Sequence, residues 1–103
     1  MARVDVTEAG CPKVWTNRTV RAPTVVPKAS AANGLIYAYT KPVGPGTIDR
    51  WYWTALDFRT GRHVYSVLAG TGLLYNNNYA AVCVSPEGVG YVGVVGGVVR
   101  IQG

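Results

Sequence analysis

Charge is scarce in this chain: only 15% of its 103 residues are Asp, Glu, Lys or Arg, while 49% are hydrophobic. Ordinary globular domains carry about 25% charge, and disordered segments are far less apolar, so the chain must bury apolar surface somewhere. The acids are Asp5, Glu8, Asp49, Asp57 and Glu87, and no acidic loop among them offers the roughly six to eight oxygens that a calcium ion takes. One histidine, His63, and two cysteines, Cys11 and Cys83, leave nothing from which to build a zinc site. The cysteines permit one disulfide without requiring it, and Cys83, inside the apolar run Ala80-Ala81-Val82-Cys83-Val84, reads as a buried free thiol. No run approaches the ~18 apolar residues of a membrane span, and Met1-Ala2-Arg3-Val4-Asp5 lacks the apolar core of a signal peptide. The chain is therefore expected to be soluble, with no membrane partner and no compartment assigned. Its length leaves room for one domain.

Ten basic residues against five acids give a formal charge of +5, which raises the question of nucleic acid. Lys13, Arg18, Arg21, Lys28, Lys41, Arg50, Arg59 and Arg62 are scattered singly, whereas phosphate tracking needs cations converging on one groove. No nucleic-acid partner is expected. From His63 to Gly103 the only charges are Glu87 and Arg100, so this half is expected to be covered on both faces, by the rest of the chain or by another copy.

Long helical periodicity is also missing. Seventeen valines, nine threonines and eleven aromatics favour strands, and thirteen glycines and six prolines punctuate them. Strands are predicted at 3–7, 13–16, 22–26, 35–40, 51–58, 63–68, 79–84, 89–95 and 98–102. Two prolines in Lys41-Pro42-Val43-Gly44-Pro45-Gly46 make that stretch a loop. Ala22–Val26 followed by Gly34-Leu35-Ile36-Tyr37 lines up with Ala80–Val84 followed by Gly88-Val89-Gly90-Tyr91. A strand, a glycine turn and a strand with tyrosine in the same place recur, giving a four-stranded unit and then a three-stranded one. Antiparallel units of four strands repeating every 40–50 residues or so are the blades of β-propellers.

At Ala55-Leu56-Asp57-Phe58-Arg59-Thr60-Gly61-Arg62-His63-Val64-Tyr65 the sequence resembles the repeat of the quinoprotein-like (pyrroloquinoline-quinone-like repeat) β-propellers. Ala55, Asp57, Thr60, Gly61 and Arg62 match, and Tyr65 stands where the family has tryptophan. Gly88-Val89-Gly90-Tyr91-Val92-Gly93 is similar to the family's second blade strand. The resemblance implies an all-β fold of antiparallel four-stranded propeller blades, about two per chain. Residues 1–20 would supply N-terminal strands completing a blade, 21–68 one blade, and 69–103 three strands of a second. Two blades cannot close a ring, so closure would come from a homo-oligomer or from a longer propeller of which this is part. A monomeric β-sandwich or barrel is the rival architecture.

The family's quinone-dependent dehydrogenases resemble one another in a vicinal cysteine pair, an acidic base and a calcium-binding set. None of these is recognisable here, so no catalytic residue, metal or cofactor is assigned. Trp51, Trp53, Asp57, Thr60, Gly61 and Tyr65 are expected to pack or turn the blades. Tyr75, Asn76, Asn77, Asn78 and Tyr79, between the two units, are the candidate site for a small polar ligand or sugar. His63 has the chemistry of a general base, but the sequence places no acid or nucleophile beside it. Asn17-Arg18-Thr19 fits a glycosylation acceptor, but without a secretory signal no modification is expected there. The function expected is a non-catalytic structural and binding module that assembles into a closed propeller. The alternative is a C-terminal fragment of a quinoprotein-like dehydrogenase or hydrolase whose catalytic residues lie elsewhere.

Overall fold

In a computed structural model, which describes residues 1–42, 50–77 and 79–102, the chain is all-β, with three antiparallel sheets. The loop expected at 41–46 falls largely outside these residues, as does Asn78. Strands β1 (Ala2–Val4) and β2 (Lys13–Thr16) form a two-stranded sheet; β3 (Lys28–Ser30), β4 (Leu35–Thr40), β5 (Arg50–Asp57) and β6 (His63–Thr71) form a four-stranded meander; β7 (Val82–Val84), β8 (Gly90–Val94) and β9 (Gly97–Ile101) form a three-stranded one. One 3₁₀ turn, Leu73–Tyr75, joins the two meanders. Among the described residues no helix is long and apolar enough to cross a membrane.

The core lies between the two meanders. Tyr37, Tyr39, Trp51, Trp53 and Ala55 alternate onto one face of the larger sheet and are buried there with Val82 and Val92 of the smaller. Tyr39 stacks on Trp51 with ring centroids 5.3 Å apart and planes 11° apart, and Tyr37 meets Trp53 at 5.4 Å. Offset aromatic contacts of this kind add to the burial of large rings. A parallel bridge from Val26 to Ala81 ties the two meanders just ahead of their first strands.

The structure moves several of the expected boundaries. The first strand of the larger sheet is β3, not 22–26: Pro23 and Pro27 have no N–H to give a ladder, so pairing begins after Pro27. The stretch before it is still structural, since Val25 is buried in the core. The strand expected at 79–84 is confined to Val82–Val84, and Tyr79 instead takes a positive φ of 63°. The final hairpin turns on Val95-Gly96, with Val94 paired to Gly97. Cys83 is exposed, as is Cys11, and both thiols are free. The register pairs Val82 with Val92, so Val82 takes the core face and strand alternation sends Cys83 outward. Among the described residues the expected cover over 63–103 is supplied only in part: Val82 and Val92 are buried against the larger sheet, whereas β6 is exposed along most of its length, including Val64, Val67 and Leu68. Finally, among the described residues β1 and β2 pair only with each other, so neither occupies a fourth position beside β7–β9.

The small sheet instead docks on the β5–β6 hairpin. Arg3, held by Asp5 at 2.8 and 2.9 Å, stacks 4.1 Å over the Phe58 ring. Trp15 Nε1 donates to the Phe58 carbonyl at 2.8 Å, and Asn17 Nδ2 donates to that of Gly61. The amide that glycosylation of Asn17 would require is thus engaged within the fold.

Candidate functional site

The loop expected to bind a polar ligand is fastened to the sheets on either side. Tyr39 Oη donates to the Tyr75 carbonyl at 2.8 Å, and the Val95 amide donates to the Asn76 carbonyl at 2.9 Å. Asn77 is fully buried, and its Nδ2 donates to the carbonyls of Ala80 at 2.9 Å and Gly93 at 2.7 Å. These bonds hold the crossing between the meanders against the β8–β9 hairpin. The Oδ1 atoms of Asn76 and Asn77 are buried acceptors with no partner among the described residues. Tyr75 is partly exposed and Tyr79 is 75% exposed, while Asn78 lies outside the described residues. Burial, followed by the neighbouring Tyr75, pushes the Tyr39 phenol up to about 12.

The hairpin between β5 and β6 has the geometry its residues imply. Asp57 Oδ1 accepts the amides of Arg59 at 2.8 Å and Thr60 at 3.0 Å, and these bonds, Thr60 first, hold its carboxyl below the usual range. Gly61 takes φ 74° under the indole of Trp15, where a side chain would meet both backbone strain and the ring. Trp51 and Trp53 are each 2% exposed, on the face between the meanders. Tyr65, opposite Ala55, stands on that same face, with Trp53 and Tyr37 near its phenol, which burial shifts upward.

A second constellation has no counterpart in the sequence reading. Across the opposite face of the larger sheet, Thr40 Oγ1 lies 2.7 Å from Thr54 Oγ1, which lies 2.9 Å from Ser66 Oγ. His63 Nε2 completes the line 2.8 Å from Ser66 Oγ. The structure thus places a hydroxyl beside the histidine that the sequence left without one. Cross-strand pairing of Thr54 with Ser66 was recoverable from a correct register; the approach of His63 was not. These residues line a cavity of about 330 Å³ that also includes Arg21 and Tyr52. Among the described residues no cluster of three or more His, Cys, Asp or Glu is placed to hold a metal ion.

Comparison with protein-family models, with curated proteins and with solved structures yields no match to this chain.

Proposed function

We propose that this chain is a structural and binding module of β-propeller type, whose two meanders act as successive blades and which self-assembles through its uncovered sheet face. The observation that carries the reading is the stacking of the meanders. The larger sheet lays Tyr37, Tyr39, Trp51 and Trp53 onto Val82 and Val92, while the smaller sheet's far face carries Cys83, Tyr91, Val98 and Arg100, all of them exposed. Val98 is 71% exposed and Tyr91 36%, so this face presents apolar side chains to water. A second copy seated there would continue the stack, as a heterologous contact that closes into a ring. Within such a ring, the exposed phenols of Tyr75 and Tyr79, on the loop that the buried Asn77 amide fastens, offer hydrogen bonds to a small neutral polar ligand such as a sugar.

The test is the absolute mass in solution by light scattering across a concentration series. A stable trimer or tetramer is expected, closing a six- or eight-bladed ring. A mass equal to the single chain at every concentration would overturn self-assembly.

A further inference from the structure

On an unbroken strand, residues three apart point to opposite faces of the sheet. His63 and Ser66 share one. Against β5 the register pairs Ser66 with Thr54 and Tyr65 with Ala55, but His63 with Leu56, so Val64 is an extra residue in β6. This bulge turns His63 onto the face that Ser66 and Thr54 already occupy, as bulges do where they re-aim a side chain. Without it, the imidazole would lie on the other side of the sheet.

The pair is also anchored from behind. Thr40 and Thr54 are buried, 5% and 1% exposed, whereas Ser66 and His63 are open to solvent. With His63 Nε2 accepting the Ser66 proton, each hydroxyl donates one step outward, from Thr40 to Thr54 to Ser66 to His63, Thr40 giving its one proton to Thr54 at 2.7 Å in preference to the Tyr52 carbonyl at 3.5 Å. That polarity aims the Ser66 O–H at the imidazole and leaves an Oγ lone pair toward the cavity. Arg21 brings positive charge to the same cavity, and no acidic side chain is among its described lining residues.

We propose that Ser66 is a nucleophile, with His63 as its base, that accepts acyl groups from small activated esters. Ser66 Oγ bonds to the ester carbonyl carbon as its proton passes to His63 Nε2, and the oxyanion develops in the cavity that Arg21 lines. Collapse breaks the bond to the leaving oxygen, which departs with the electron pair and takes the proton from His63. Water, deprotonated by the same imidazole, then cleaves the acyl-serine and releases the carboxylic acid. This site goes beyond the scaffold role and does not rest on it, because a monomer carries the same pair.

The full chain is treated with p-nitrophenyl acetate, nitrophenolate release is followed, and the acetylated residue is located by peptide mass mapping. An acetyl group on Ser66 is expected, absent from Ser66→Ala, and formed about 100-fold more slowly in His63→Gln, the usual scale of general-base assistance. Far-UV circular dichroism establishes that each variant keeps the β fold. Ser66→Cys preserves the pair should alanine impair folding, and its thiol is expected to acylate faster than Cys11 or Cys83 in the same molecule. Acetylation confined to His63, a lysine, the amino terminus or the two native thiols would overturn the proposal. So would an unchanged rate in folded His63→Gln, or a thiol introduced by Ser66→Cys that reacts no faster than the native ones.

Discussion

Gly90 faces the indole of Trp53 across the interface between the two meanders, so closely that a Cβ at position 90 would stand 2.6 Å from the ring. Trp53 is 2% exposed and packs on Tyr37 with ring centroids 5.4 Å apart, so the ring has little room to retreat. Gly90→Ala is therefore expected to push the sheets apart and to destabilise the fold by about 1–3 kcal/mol, the usual cost of overpacking a filled core. Urea denaturation checks this. A midpoint equal to wild type would mean that the sheets are not stacked on these residues.

Asn77 makes a separable prediction about the crossing between the meanders. Asn77→Ala removes both Nδ2 donors and strands the carbonyls of Ala80 and Gly93, which is expected to cost about 2–4 kcal/mol for two such bonds. If Asn77 served only a ligand, its removal would leave the urea midpoint unchanged and alter sugar affinity alone.

The alkaline limb of stability follows from Tyr39. Its phenol is raised to about 12 in the fold, whereas an unfolded tyrosine ionises near 10 or so. The unfolded state therefore loses its proton first, so this contribution is intact below about pH 10 and is lost as pH rises through about 12. In Tyr39→Phe that part of the alkaline decline should vanish. The variant also strands the Tyr75 carbonyl, so at neutral pH it should be less stable by about 1–2 kcal/mol. Ultraviolet titration of the tyrosines together with pH-dependent urea midpoints tests both statements.

How much of this was legible beforehand depended on whether a feature was local. The Asp57-Thr60-Gly61 turn could be read residue by residue, because its bonds close within a few positions of the chain. The alternation of Trp51 and Trp53 likewise placed both rings on one buried face. Cys83 was misjudged because an apolar neighbourhood says nothing of parity; the pairing of Val82 with Val92 decides which alternate residues face the core. Ala22–Val26 reads as a strand by composition, yet its flanking prolines displace the ladder to Lys28–Ser30. The Ser66–His63 pair was hidden for the most specific reason. Ordinary alternation puts those residues on opposite faces, and only the bulge at Val64 brings them together.

The exposed face of the smaller sheet supplies a prediction about assembly. Val98 and Tyr91 lie on it, turned away from the core. Val98→Lys should leave the urea midpoint of the single chain nearly unchanged, since exposed substitutions usually stay within about 0.5 kcal/mol. If this face continues the stack, burying an unpaired ammonium there should shift the light-scattering mass toward that of one chain. An unaltered oligomer carrying Val98→Lys would remove this face from the interface.

Acid tests the β5–β6 hairpin. Asp57 has its carboxyl held below the ordinary value by the amides of Thr60 and Arg59, and it is the charged form that accepts those bonds. A lowered folded pKa means that the unfolded chain binds the proton first as pH falls. The stabilisation is therefore complete above the ordinary carboxylate range and is lost as pH drops through the lower folded value. Asp57→Asn keeps an Oδ1 acceptor without the charge, so its midpoint should change less than that of wild type between about pH 5 and pH 2.5. Asp57→Ala lacks the acceptor and should melt at lower temperature throughout. Parallel acid responses in wild type and Asp57→Asn would show that the carboxylate does not hold the turn.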